Sequence, residues 1–226
     1  MVNEPVWKQL REEFDASGIT LVAVSKTKPI EDITALHSLG QLDFGENYVQ
    51  ELIEKQAALP ADIKWHFIGH LQSNKVKYIA PFVHLIHAVD SFRLLLEIEK
   101  QAAKNNRTID VLLQLHVAEE ETKFGMDEKE MIDCLDHYEA QAASMTHVRI
   151  CGVMGMATNT EDEGKVLHDF QRIYAVFKNL SQSYFLGKKY FSICSIGMSG
   201  DYPQAIAAGG NMVRIGSLLF GERQYH

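Results

Sequence analysis

Residues 19–29 read ITLVAVSKTKP, an apolar and largely β-branched run that ends at a lysine and then at a proline. A run of this length and composition predicts a buried strand. An open, doubly wound sheet that binds a dinucleotide would carry a G-x-G-x-x-G turn after such a first strand. This chain has S-K-T-K-P there instead, which disfavours the open sheet and favours a barrel.

Short apolar runs alternate with stretches of helical period along the rest of the chain. Because parallel strands need crossover connections, this alternation predicts a parallel sheet. Eight units of about 28 residues predict a single α/β domain over residues 1–226, a (β/α)8 TIM barrel with an extra N-terminal helix over residues 4–16. The predicted strands are 19–25, 41–44, 64–68, 84–88, 109–117, 148–154, 190–193 and 212–215. The predicted helices between them are 30–39, 47–58, 73–79, 91–104, 127–137, 161–180 and 202–208.

Composition and charge exclude several classes of protein. The 226 residues are 46% hydrophobic, which is too apolar for a disordered chain. A net charge of -8 disfavours a nucleic-acid partner. Cys134, Cys151 and Cys194 are too few and too widely spaced for a disulfide framework or a zinc knuckle. With neither a signal-peptide core nor a membrane-length apolar run, we expect a cytoplasmic protein without membrane contacts.

Functional groups of a barrel collect at the carboxyl ends of its strands. Lys26 ends the first strand, where partial desolvation would make its amine a nucleophile, although a surface lysine is the alternative. Asn47 follows the second strand and can either cap the next helix or offer its amide to a ligand. We expect no carboxylate facing Lys26, because Asp43 lies within a strand and Asp90 is placed to cap a helix.

The ends of the last two predicted strands suggest a phosphate site. They carry CSIGMSGD (194–201) and VRIGS (213–217), where small and hydroxyl residues would leave backbone N–H groups open to an anion. Barrels often bind phosphate in these two loops, and Arg214 adds a cation. The alternative is that the glycines serve only tight turns.

His66 and His70 have a spacing seen in zinc sites, but we predict no metal site. The paired histidines of such sites share one helix face, whereas a strand end and a glycine loop separate these two. We expect His66 to pack in or near the barrel.

A strand-end lysine beside a phosphate site fits two chemistries, which the residues alone do not separate. One is a lysine aldolase acting on a phosphorylated sugar, and the other is pyridoxal 5'-phosphate (PLP) bound to the lysine. Five segments resemble the YggS/PROSC family of pyridoxal phosphate homeostasis proteins, with one departure at Ile196. They are AVSKTKP (23–29), FGENYVQE (44–51), WHFIGHLQSNK (65–75), SIGMSGD (195–201) and VRIGSLLFG (213–221), within a similarity over residues 20–223.

This resemblance implies a barrel of the fold type III class, similar to the N-terminal domain of bacterial alanine racemase. It implies that Lys26 holds PLP as an internal aldimine, that Arg214 faces the pyridine nitrogen and that Asn47 lines the ring. It also implies that Lys123 takes part in secondary handling of the cofactor. The residues that it assigns to the phosphate are Ser199, Gly200, Gly216 and Ser217.

The resemblance and the arginine together predict a carrier. A guanidinium does not readily give up a proton, so the ring nitrogen stays unprotonated and the ring is a weaker electron sink. The chain ends at His226, so we also expect no second domain with an opposing base, which disfavours a two-base racemase. We therefore predict a monomeric PLP-binding protein of intracellular vitamin B6 homeostasis that supplies PLP-requiring apoenzymes and is not itself an enzyme. The alternative is a PLP-dependent amino-acid racemase or decarboxylase, with His66 or Tyr48 as the second acid/base.

Overall fold

Eight parallel strands form a closed barrel in the computed structural model, which describes residues 2–120 and 124–221. Each strand pairs with the next along the chain, and the last pairs with the first. The predicted (β/α)8 barrel is confirmed. The strands are β1 Thr20–Val24, β2 Asp43–Glu46, β3 Lys64–Phe67, β4 Leu85–Val89, β5 Ile109–His116, β6 Val148–Met156, β7 Ile193–Met198 and β8 Met212–Ile215.

Helices follow the strands around the outside of the barrel. They are α1 Glu4–Ser17, α2 Ile30–Ser38, α3 Val49–Ala58, α4 Val76–Ile79, α5 Phe92–Lys104, α6 Glu128–Ala140, α7 Glu163–Gln182, α8 Tyr202–Ala207 and α9 Ser217–Phe220. A 3-10 turn, Ser73–Lys75, covers the first part of the helix predicted over 73–79. Within the two described ranges, every helix is too short or too polar to span a lipid bilayer.

Two apolar clusters lie on the two sides of the barrel wall. The larger cluster fills the space between strands and helices and includes Leu21 and Phe44. The smaller one is built from strand residues such as Val22 and Met154, which fits the inside of the barrel. Because side chains alternate along a strand, the inward position of Val22 brings Lys26 to the mouth of the barrel.

Helix α1 completes the ring of helices. Helix α9, which follows β8, has only four residues, and α1 packs on β1 beside it. The backbone N–H of Asn3 donates to the carbonyl of Leu219 at 2.8 Å. The ring of Phe14, on the buried face of α1, meets Tyr202 of α8 edge-on at 5.6 Å. The helix predicted ahead of the first strand therefore covers the seam of the barrel.

The predicted bounds of two strands are wrong. Strand β7 is Ile193–Met198 rather than 190–193, because Phe191 instead stacks on Phe185 outside the strand, with ring centroids 4.1 Å apart. Strand β2 is Asp43–Glu46 rather than 41–44. The side chain of Gln41 instead accepts from Trp7 Nε1 at 3.0 Å and donates to the carbonyls of Leu21 and Asp43.

Replacing Phe14 with alanine should destabilise the whole barrel. Phe14 is fully buried, and deleting such a ring costs about 3–5 kcal/mol of unfolding free energy. Urea denaturation would measure the change. Leu186→Ala, at a side chain that is 73% exposed, is the control and should change stability by at most about 0.5 kcal/mol. Equal stability of the two variants would show that α1 does not belong to the cooperative fold.

Candidate functional site

One cavity of about 280 Å³ opens at the carboxyl ends of the strands. All seven residues predicted to bind a cofactor line it, and they come from the ends of β1, β2, β7 and β8. These seven are Lys26, Asn47, Ser199, Gly200, Arg214, Gly216 and Ser217. Much of the remaining wall is apolar, with Val24, Ile68, Met154, Met156 and Met198.

The turn that carries Lys26 is strained and held from two sides. Thr27 has a φ of 63°, a conformation that is unfavourable for a β-branched residue. Its backbone N–H donates to Glu51 Oε1 at 2.6 Å. Lys28 Nζ donates to the carbonyls of Phe220 and Gly221 at 3.0 and 3.1 Å. The two anchors hold the backbone directly after Lys26, which lines the cavity.

A buried cluster behind this turn ties it to helix α3. Lys55 Nζ donates to the carbonyl of Ser25 at 2.7 Å, to Glu46 Oε1 at 2.7 Å and to Glu51 Oε1 at 2.6 Å. Burial raises the pKa of Glu46 above its ordinary value, although the ammonium of Lys55 opposes this. Sequence reasoning missed this cluster, for which the only signal was the i, i+4 spacing of Glu51 and Lys55 on a helix.

Arg214 is a buried cation in the cavity wall. Its Nη1 donates to the carbonyl of Ser195 at 2.7 Å and to Ser195 Oγ at 2.8 Å, and its Nη2 donates to the carbonyl of Gly155 at 3.1 Å. Within the described residues, these bonds use three of the five guanidinium N–H groups. Burial lowers the pKa of Arg214 to about 10, so the side chain remains charged at neutral pH.

The loops after β7 and β8 meet at the cavity. Ser199 Oγ accepts from the backbone N–H of Gly216 at 3.1 Å. Gly197 has a φ of 90° and would bring a Cβ to 2.6 Å from Ala205, so the turn itself requires this glycine. Gly200 and Gly216 have no positive φ, and a Cβ at either would find ordinary space. A tight turn therefore explains Gly197 but does not explain Gly200 or Gly216.

Asn47 offers an unused acceptor to the cavity. The N-cap of α3 is Tyr48, without a side-chain bond, so Asn47 does not cap the helix. Its Oδ1 is buried and has no hydrogen-bond partner among the described residues. Buried polar atoms normally have a partner, so this acceptor fits a ligand that donates a hydrogen bond.

Several other sequence-based expectations refer to places away from the cavity. Tyr48 is 59% exposed and lines a neighbouring pocket. His66 is buried in the barrel, as expected, and lies 3.0 Å from Asp43 Oδ1 through its Nε2. The side chain of Asp43 therefore faces the interior of the barrel, which we did not expect. Asp43 is the first residue of β2, so it lies at the end of the barrel opposite to Lys26. Lys123 lies outside the described residues.

His66 and His70 contact different carboxylates, and the cap of helix α5 is not the residue that we expected. His70 Nδ1 pairs with Asp90 Oδ2 at 3.1 Å, whereas His66 contacts Asp43, so the two histidines have separate partners. Asp90 is not the cap of α5, because Ser91 Oγ accepts from the N–H of Leu94.

Comparison with known proteins identifies the family. The model of the alanine racemase N-terminal domain family matches residues 6–224. A pyridoxal phosphate homeostasis protein of Haemophilus influenzae is 34% identical over 217 residues, which are 95% of this chain and 89% of that protein. One of Aquifex aeolicus is 38% identical over 206 residues, covering 91% and 87% of the two chains. The chain belongs to the pyridoxal phosphate homeostasis protein family.

Solved structures agree with this family. PipY of Synechococcus elongatus, with PLP bound, is 32% identical with a TM-score of 0.79, covering 92% of this chain and 99% of that one. PipY without PLP has a TM-score of 0.87 and covers 96% and 99% of the two chains. Alanine racemase of Bartonella henselae, at 16% identity and a TM-score of 0.68, covers 97% and 60% and shares the fold.

Lys55→Met should weaken the fold in a pH-dependent way. Removing one partner of a buried ion pair costs about 3–5 kcal/mol, because Glu46 would keep an uncompensated charge. A carboxyl whose pKa is higher in the folded state stabilises the fold at low pH and loses that contribution as pH rises through the folded pKa. Without Lys55 the pKa of Glu46 should rise further, so the loss measured by urea denaturation should be larger at about pH 8 than at about pH 5.

Lys100→Met is the control for this variant. Lys100 is exposed and lies 3.8 Å from Glu97, and such pairs contribute at most about 1 kcal/mol. A loss for Lys55→Met that did not grow with pH would contradict the assignment of Glu46 as the affected group.

Proposed function

We propose that this protein binds PLP in the cavity at the carboxyl ends of the strands and acts in intracellular PLP homeostasis. The observation that carries the proposal is that a strand-end lysine, a buried arginine and the loops after β7 and β8 share one cavity. The names of the relatives and the PLP bound to PipY support it.

The chemistry of the cavity fits a phosphorylated aldehyde. Its charged lining residues in the described part of the chain are Lys26, Lys28 and Arg214, all cations, in a protein of net charge -8. In the proposed assignment Lys26 supplies the amine for covalent attachment, Arg214 faces the ring nitrogen and Asn47 accepts from a ring substituent. PLP supplies an electron-withdrawing ring when bound. The phosphate would be held by Ser199, Gly200, Gly216 and Ser217.

We further propose that the protein is a carrier and not an enzyme. Among the described residues, those that line the cavity include no carboxylate, imidazole, thiol or phenol, which are groups that often perform acid/base catalysis. The arginine would also keep the ring nitrogen unprotonated, which weakens the electron sink. A racemase or decarboxylase of amino acids is the competing function, and turnover assays on small amino acids with PLP-loaded protein would decide between them.

We propose a single domain over residues 1–226 that works as a cytoplasmic monomer and supplies PLP to apoenzymes. The free, buried thiols of Cys134, Cys151 and Cys194 support a reducing compartment. The exposure of Met198 and Gly200 at the rim supports transfer to another protein.

Lys26→Ala should abolish covalent PLP binding. The wild-type protein, mixed with PLP, should show a visible absorption band that borohydride removes, and peptide mapping should find the reduced adduct on Lys26. The variant should lack both the band and the adduct, because the amine that we expect to bond to PLP is gone.

Lys28→Ala is the matched control for this experiment. Lys28 lines the same cavity, but its Nζ donates to two backbone carbonyls, so the adduct should stay on Lys26. An adduct that persists in Lys26→Ala would disprove the assignment. A wild-type protein that takes up no PLP would return the cofactor-free aldolase to consideration.

Arg214→Gln should change the absorption spectrum of bound PLP while leaving covalent attachment intact. The neutral amide removes the buried charge that we place at the ring nitrogen, so the electronic environment of the ring should differ. Absorption spectroscopy measures the change, and circular dichroism checks the fold. An unaltered spectrum would place Arg214 away from the ring.

A further inference from the structure

A column of polar side chains crosses the interior of the barrel behind Arg214. Arg214 Nη1 donates to Ser195 Oγ at 2.8 Å, and this oxygen lies 3.1 Å from His87 Nδ1. His87 Nε2 is 2.9 Å from His66 Nδ1, and His66 Nε2 is 3.0 Å from Asp43 Oδ1. Ser195, His87 and His66 are buried. The links from Ser195 to His87 and from His87 to His66 therefore join buried groups, whereas Asp43 at the end of the column is partly exposed.

The two ends of the column set the direction of its hydrogen bonds. The guanidinium of Arg214 can only donate. At the other end of the column, burial raises the pKa of Asp43. The hydrogen bond from His66 and the positive charge of Lys64 lower it by more, so the pKa lies below its ordinary value. The carboxylate is then ionised at neutral pH and can only accept. The proton between Asp43 and His66 must therefore sit on His66 Nε2.

The middle of the column has one order that satisfies every group. Burial, together with the positive charge of Arg214, holds the pKa of His87 well below its ordinary value, so this ring is neutral. His87 Nε2–H then donates to His66 Nδ1, and the Ser195 hydroxyl donates to His87 Nδ1. In the reverse order, the Ser195 proton would have no acceptor among the described residues.

We propose that His87, backed by His66 and Asp43, is a positioning residue that holds the Arg214 guanidinium at the PLP ring through Ser195. His87 does not line the cavity, so it acts only through this chain of bonds. The inference rests on the proposed function where it assigns Arg214 to the ring. The order of protons in the column is independent of that function.

Nitrogen NMR of histidine-labelled, cofactor-free protein tests the order directly. In both His66 and His87 we expect the proton on Nε2 and an Nδ1 that accepts a hydrogen bond. A proton on Nδ1 of either ring would overturn the proposal. This result does not depend on whether the protein binds PLP.

Substitutions test the effect on the cofactor site. His87→Leu removes both links and should weaken PLP binding by roughly tenfold and shift the absorption band of bound PLP. His87→Asn can still accept from the Ser195 hydroxyl and should restore most of both properties. His37→Ala removes a histidine that pairs with Asp62 at 2.9 Å on the outside of the barrel. This control should behave as wild type.

The outcomes separate this inference from the proposed function. Wild-type affinity and absorption in folded His87→Leu would overturn the positioning role. If circular dichroism shows that His87→Leu does not fold, Ser195→Ala cuts the column at its next link, and an unshifted band there would overturn the role equally. Failure of the wild-type protein to bind PLP would remove the proposed function, and NMR would still decide the order of protons.

Discussion

Pairing between the first and last strands closes the barrel and brings the ends of its strands to one face. Residues 20–23 of β1 lie beside residues 212–215 of β8, so closure joins segments separated by almost the whole chain. The register puts Val22 opposite Arg214, with both inside the barrel. The loops that follow these strands carry Lys26 and Gly216 to one cavity. The candidate site thus exists only in the closed barrel, which α1 completes from outside.

Two buried polar systems hold the two charged groups of the site. Lys55, Glu46 and Glu51 lie behind the turn of Lys26, and the column from Ser195 to Asp43 lies behind Arg214. Burying charged and polar groups is costly unless they are hydrogen-bonded. Because these groups bond mainly to one another, the turn that carries Lys26 and the guanidinium of Arg214 are held in place by the protein itself. This preorganisation suits a site that has to bind rather than rearrange.

The distribution of charge separates the site from the rest of the molecule. The chain carries an excess of acidic residues, yet the charged side chains that line the described cavity are lysines and an arginine. Local cations attract a phosphate without making the protein bind nucleic acid. The described lining contains no carboxylate, imidazole, thiol or phenol. Function therefore depends on the side chains of the site, since the barrel itself supports many chemistries.

The barrel and the residues at its mouth can be predicted from the sequence. Alternating apolar runs and helical periods are local signals, and the strand ends name Lys26, Asn47, Arg214 and the two glycine loops. The bounds of β7 depend on contacts between distant residues, because the apolar Phe191 stacks on Phe185 and is not part of the strand. Only the tertiary structure joins Lys55 to Glu46, and His87 to His66 and Ser195. Such pairs depend on which strands and helices become neighbours, and the spacing of residues along the chain carries almost no trace of that.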